Sequence, residues 1–183
     1  GYHCFDTVEN LGFWGKKEYQ RFFEHREELK SKLAGLNSSH RIVTFYDIPY
    51  FSERSSFTAR SLLDFHRAAL RCSYLEGIAV IIKMKSFFNV KEANFPLEIR
   101  KAFDQQWKEI INKDNIYLLE KEEWDPLQVI AISDVNVTLD ISSPSTIALI
   151  CGRLGLFYNT VEDYVHHPLY PKYRDILIFN DIE

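Results

Sequence analysis

A chain of 183 residues, 46% of them hydrophobic, can bury one sizeable core. Its formal charge of −4 leaves neither a basic footprint for nucleic acid nor a polybasic membrane arm, so an anionic ligand would have to be held by a local site. No apolar run approaches a membrane span, and no secretory signal is expected before the fold. Residues 1–15 carry aromatics without a period and read as a domain entry. Over 16–34 the pattern predicts a charged helix with Tyr19, Phe22, Phe23, Arg26, Leu29 and Leu33 on one face, closed by Gly35. The β-branched and aromatic run 42–46 predicts the first strand. At its carboxyl end, the edge where open parallel sheets bind ligands, Tyr46, Asp47, Tyr50, Phe51 and Ser52 face the expected cleft; for Tyr50 and Phe51 simple loop packing is the alternative.

An amphipathic helix over 57–76, closed by Gly77, leads to the unbroken apolar run 78–82, as expected of a strand buried on both faces. Lys83 and Lys85 follow it, point charges able to neutralise a phosphate or else ordinary solvated lysines. The next helix lies within 93–112, begins at Pro96 and buries Leu97, Ile99, Phe103, Trp107 and Ile110. A strand over 116–119 and an acidic turn over 120–123 come next. Trp124 then precedes a helix that has Asp125 as cap and Pro126 in its first turn and runs to Ile132.

The centre of the chain is 133–158. Val135 to Leu139 favours a strand, and Asp140, Ile141, Ser142 and Ser143 break it. Pro144 suits the first position of a helix and the serine before it suits the cap. The helix should run over 144–151, bury Ile147, Ala148 and Ile150, and stop at Gly152 in a left-handed cap. A buried strand over 154–158 follows. The break thus delivers the hydroxyls of Ser142 and Ser143, with backbone N–H groups as far as Ser145 and Thr146, to a helix N-terminus at a strand's carboxyl end, a place that favours anions and phosphate above all. Plain helix capping is the competing reading of the same residues.

Residues 159–173 read as a long polar and aromatic loop, and its adjacent His166 and His167 lack the spacing of a zinc pair. A last strand covers 176–179, with Asn180 and Asp181 placed to cap a further helix. Cys4, Cys72 and Cys151 are far apart and odd in number, which predicts reduced thiols in a cytoplasmic protein. Strand and helix alternate throughout, so the expected fold is α/β: a doubly wound, mainly parallel sheet of about six strands with helices on both faces. One domain is expected over 1–183, with 1–40 as entry and 41–183 as core. The chain opens without an initiator Met and stops directly after an apolar strand, which suggests a domain cut from a longer protein. There is no GxGxxG fingerprint, no Walker A loop and no GxSxG elbow, which argues against dinucleotide oxidoreductases, P-loop NTPases and α/β-hydrolases.

The string from Asp134 to Tyr158 resembles the nucleotide-sugar-binding half of GT-B glycosyltransferases and of the related polyol-phosphate polymerases and surface-carbohydrate transferases. The matching residues are Asp134, the strand to Thr138, the Ser142-Ser143 turn, Gly152 and Phe157-Tyr158. More weakly, Gly1, Phe5 and Asp6 match the spacing at which those proteins cross into their second domain. The resemblance implies a donor-binding domain for cell-surface polysaccharide synthesis. In it Ser142, Ser143, Ser145, Thr146, Lys83 and Lys85 would hold the donor phosphate, and Asp47, Glu120, Trp124, Asp140 and Tyr158 would line the base and cleft. In those families the strand end at Lys83 to Ser86 often carries Lys-Pro-His or His-Pro, and here the histidine is missing. The donor would be a nucleotide-activated sugar, with no cofactor or metal. A missing N-terminal Rossmann-like domain would supply the catalytic group, no residue of this chain being assigned that role. Alongside the cytoplasmic location that the cysteines suggest, peripheral association of the whole protein at the inner face of a membrane is also expected to be open to it. A noncatalytic interaction module and half of a nucleotide-sugar epimerase are the alternatives.

Overall fold

The computed structural model describes residues 13–36, 39–48, 58–85, 95–120, 123–158 and 170–179. The expectations for Gly1, Cys4, Phe5, Asp6, Tyr50, Phe51, Ser52, Ser86, His166, His167, Asn180 and Asp181 fall outside them. The described chain runs α1 (Lys16–Glu24), α2 (Arg26–Ser31), β1 (Arg41–Tyr46), α3 (Ala59–Cys72), β2 (Ile78–Lys83), α4 (Leu97–Ile111), β3 (Ile116–Leu119), α5 (Pro126–Ile132), β4 (Val135–Leu139), α6 (Ser143–Ile150), β5 (Leu154–Tyr158), α7 (Tyr170–Tyr173) and β6 (Ile178–Phe179). The six strands form one sheet in the order β3-β2-β1-β4-β5-β6, and each neighbouring pair is parallel. This is the Rossmann-like α/β fold the alternation predicts.

The apolar strands bury both faces, and a separate cluster covers each. On one side α3 and α4 set Leu62, Phe65, Phe103, Trp107 and Ile110 against Phe45, Val80 and Ile82. On the other, α1, α2, the turn after α2 and α5 set Tyr19, Leu29, Leu33, Leu127 and Ile130 against Ile42, Ala79 and Ile81. Local signals fix the helix ends. Thr58 and Ser61 form a reciprocal capping box on α3, with Ser61 N donating to Thr58 Oγ1 (3.1 Å) and Thr58 N to Ser61 Oγ (3.3 Å). Asp125 and Gln128 do the same for α5, Leu127 N donating to Asp125 Oδ1 (2.7 Å) and Asp125 N to Gln128 Oε1 (2.9 Å). Among the described residues no helix is long and apolar enough to cross a membrane. Cys72 and Cys151 are free thiols, each pushed above the usual range by burial.

Several sequence expectations shift. The single helix over 16–34 is two, broken at His25, whose ring Nδ1 donates to Arg21 O (3.0 Å) and so competes for a helical acceptor. The bend lets Tyr19 from α1 and Leu29 from α2 both reach the sheet. Leu97 is exposed at the first position of α4, because the buried face of that helix begins further on, at Phe103. Ile150 is 59% exposed and not buried. The apolar residues of α6 are not confined to one face, but the sheet takes only the face of Ser145 and Ala148, and Leu149 and Ile150 instead border an open groove of about 340 Å³ with Tyr173 and Leu177. The loop expected over 159–173 ends in a helical turn, α7, and the last strand is shortened to two residues, leaving Ile176 exposed.

Between β1 and β4 the α5 and α6 side carries a buried polar seam. Tyr46 Oη donates to Asn136 Oδ1 (2.8 Å), Asn136 Nδ2 to Leu154 O (3.3 Å), and Ser133 Oγ to Val129 O (2.6 Å) with Thr44 Oγ1 2.6 Å away. Burial holds the Tyr46 phenol well above its ordinary range, so it acts as a donor at neutral pH. Tyr46→Phe would leave the Asn136 amide oxygen buried without that donor, and we expect a loss of about 2 kcal/mol in urea unfolding, the usual cost of such an orphaned group.

Candidate functional site

The carboxyl ends of the strands lie along one edge, and that edge has a single reversal. From β1 the chain order steps outward through β2 and β3, and from β4 it steps the other way through β5 and β6. Connections therefore diverge between β1 and β4, the switch point at whose carboxyl edge such sheets hold ligands in a crevice. Asp47 closes β1 on one side of it and Asp140 closes β4 on the other.

Asp140 leaves β4 with φ of 65°, uncommon for a residue with a side chain. The turn is held by Asp140 N donating to Tyr158 O (2.7 Å), Thr138 Oγ1 donating to Asp140 O (2.9 Å) and Ile141 N donating to Asp140 Oδ1 (2.5 Å). It delivers the chain into α6 with Ser142 as the N-cap and Ser143, not Pro144, as the first helical residue. The Ser142 side chain makes no capping hydrogen bond, which leaves plain capping without its usual contact. Ser143 is exposed. Thr146 is exposed too, its Oγ1 donating to Ser142 O (3.1 Å).

Ser145 has turned inward. It is fully buried, and its Oγ lies within hydrogen-bonding reach of Asn136 O (2.9 Å) on β4 and Leu156 O (2.8 Å) on β5. It locks α6 onto the sheet. Gly155 makes that contact close, since a Cβ there would stand 2.2 Å from Ser145 O.

On the β1 side Lys83 is buried, 6% exposed, and its Nζ donates to Glu120 O, tying β2 to the end of β3. Lys85 is exposed, and its backbone N donates to Asp47 Oδ2 at 3.5 Å. Asp47 is 4% exposed, so its carboxylate lies beneath the edge. Glu120 is exposed at the end of β3, and Trp124 is half-buried against the cluster of α1 and α5. The Tyr158 ring is buried in the α3 core, stacked 6.1 Å from Phe65. Asp134, the first residue of the GT-B-like string, sits at the opposite edge: its Oδ2 accepts from Ile42 N (2.8 Å) and its Oδ1 pairs with Arg153 (3.5 Å), so it ties the start of β4 to the start of β1 and does not face the crevice.

Sequence reading missed His66. Its side chain is fully buried, with Nε2 3.4 Å from Asp47 Oδ1, and burial lowers its pKa to about 3. A polar residue among Leu62, Leu63, Ala69 and Leu70 on the buried stripe of α3 was the available signal. Among the described residues no group of three or more His, Cys, Asp or Glu is placed to hold a metal ion.

No protein-family model matches the sequence, and no curated protein matches it. Solved structures do match in fold. The trehalose-6-phosphate protein of E. coli, bound with UDP-2-fluoro glucose, superposes with a TM-score of 0.52 at 12% identity over 95% of this chain and 40% of that one. The fold is that of a GT-B half. Two further structures align at lower scores. HepE of Anabaena in complex with UDP and glucose gives a TM-score of 0.47 at 14% identity over 74% of this chain and 33% of that one. UDP-GlcNAc 2-epimerase of Neisseria meningitidis, bound to UDP-GlcNAc, gives 0.48 at 12% identity over 90% and 47%. The chain thus spans a third to a half of the length of these proteins. At such identities the likeness to the GT-B half speaks for the fold alone.

Proposed function

We propose that this chain is the donor-binding domain of a glycosyltransferase, or of a polyol-phosphate transferase, that builds cell-surface polysaccharide such as capsule from a nucleotide-activated donor. The observation that carries the reading is the turn beside the switch point, where an eight-residue helix presents its N-terminus with a Ser142 hydroxyl that makes no cap. Ser142, Ser143 and Thr146, with the first N–H groups of α6, would hold the donor phosphate and stabilise charge developing on the leaving nucleotide, a role that needs neither metal nor cofactor. Lys85 would add a positive charge from across the crevice, and Glu120, Trp124 and Asp140 would border the base and sugar. Ser145, Lys83 and Tyr158 would act from behind, by fixing α6 and the strand ends. Catalysis would need a second Rossmann-like domain, in a protein that works in the cytoplasm or at the inner face of a membrane.

A noncatalytic module with the same fold is the second reading, favoured by the use of Lys83 Nζ and Ser145 Oγ within the domain. Titration of UDP, UMP, CDP and CMP into the wild type and a Ser142→Gly/Ser143→Gly variant, followed by NMR, separates the two. Donor binding predicts shifts over 140–146 and at Lys85, Glu120 and Trp124 that vanish in the variant, with melting little changed because glycine is a tolerable cap. No shifts at millimolar nucleotide would favour the noncatalytic module.

A further inference from the structure

Asp47 and His66 are a buried acid and imidazole set directly under the carboxyl edge. Both side chains have zero exposure, and Asp47 Oδ1 lies 3.4 Å from His66 Nε2. The imidazole is walled by aromatic rings, Trp107 edge-on at 5.2 Å and Phe103 at 5.6 Å, with Phe65 at 6.1 Å. Burying such a pair is expensive in desolvation, and an apolar pair of similar volume in the same place is commonly as stable or more so. Stability therefore gives little reason for an acid and an imidazole at these positions. Their location gives a better one.

The second carboxylate oxygen of Asp47 points at the turn after β2, where Lys85 N donates to it at 3.5 Å. The backbone supports the same link, Asp47 N donating to Lys83 O (3.0 Å). Lys83 in turn reaches Glu120 O at the end of β3. The ends of β1, β2 and β3 are thus laced together by polar contacts, and Asp47 is the member that reaches the one exposed lysine of the set. His66, carried on α3, packs against the other carboxylate oxygen at 3.4 Å, a contact of shape and charge and not a hydrogen bond.

We infer that Asp47 and His66 are a positioning pair, which holds the turn after β2 so that the Lys85 ammonium stands over the crevice where an anionic nucleotide phosphate binds. The inference rests on the donor-binding reading, with Lys85 as the phosphate's counter-charge. Neither member of the pair touches the ligand; both act through Lys85.

The test compares Asp47→Leu, Asp47→Asn and His66→Phe with the wild type, each also in a Lys85→Ala background, by UDP and CDP titration, amide hydrogen exchange at Lys85, and melting. Asp47→Leu should weaken nucleotide binding about tenfold and speed exchange of the Lys85 amide about tenfold, with the melting temperature kept or raised. Asp47→Asn retains an acceptor and should rescue most of both effects. His66→Phe fills the aromatic box and should weaken binding several-fold, which keeps the test decisive even where Asp47→Leu does not fold. In the Lys85→Ala background all three should have little further effect on affinity, since a group acting through another adds nothing once that other is gone. Binding to the wild type that survives both Asp47→Leu and His66→Phe overturns the positioning role and leaves the donor reading intact. Losses that persist undiminished in the Lys85→Ala background, or that track a fall in melting temperature, also overturn it. No binding to the wild type sinks the donor reading, and the positioning role with it.

Discussion

Gly155→Ala is expected to destabilise the domain by about 3 kcal/mol, at the upper end of ordinary overpacking, because the added methyl meets backbone and not a movable side chain. A Cβ at this position would lie 2.2 Å from Ser145 O and 2.9 Å from its carbonyl carbon, so α6 would have to lift from β5. Lifting it also pulls the Ser145 hydroxyl away from Asn136 O and Leu156 O. Gly155→Val should leave the chain unfolded in the same assay. Gly152→Ala is the control. Nothing lies within 4 Å of a Cβ there, and only its φ of 73° resists a side chain, so about 1 kcal/mol is expected. Urea unfolding of the three variants measures the order. A Gly155→Ala protein as stable as Gly152→Ala would mean that α6 does not sit against β5 as described, and the turn at Ser142 would lose its fixed place at the sheet edge.

Acid should weaken the fold through His66, and the sign follows from burial. In the folded protein the ring stays neutral down to about pH 3, whereas in the unfolded chain it takes a proton near its ordinary 6.5. Between those values the unfolded state binds a proton that the folded state refuses, so stability is complete above pH 6.5 and falls as the pH drops towards 3. At about 1.4 kcal/mol per pH unit the full loss amounts to about 5 kcal/mol, of which about 2 kcal/mol should be gone by pH 5. Unfolding by guanidinium at a series of pH values, run on the wild type and on His66→Phe, isolates the contribution. The two curves should diverge below pH 6.5, the variant being the flatter. Parallel curves would show that His66 titrates normally and that the ring is not sealed in its aromatic box.

What the sequence determined by itself is the class of fold and the place of the turn. The run Ile78–Ile82 is too apolar for a sheet with a wet face, and the helical segments between the strands force parallel pairing through crossovers. Asp125-Pro126 and Gly152 marked helix ends because their effects are local, a cap and a left-handed residue needing no distant partner. Local chemistry could not say where each side chain would point once elements met. Ser142, Ser143 and Ser145 look alike in the chain, yet packing against β4 and β5 turns Ser145 inward as a lock and leaves Ser143 in solvent. Asp134 and Asp140 flank one strand, and only the sheet's direction puts the second at the crevice and the first at the opposite edge, beneath Arg153. Lys83 and Lys85 read as equals until the sheet ends β2 at Lys83 and buries its Nζ against Glu120 O, leaving Lys85 exposed in the turn beyond. His66 and Asp47 stand 19 positions apart in the sequence, and their meeting under the edge depends on how α3 lies across β1, a long-range contact that no local pattern encodes.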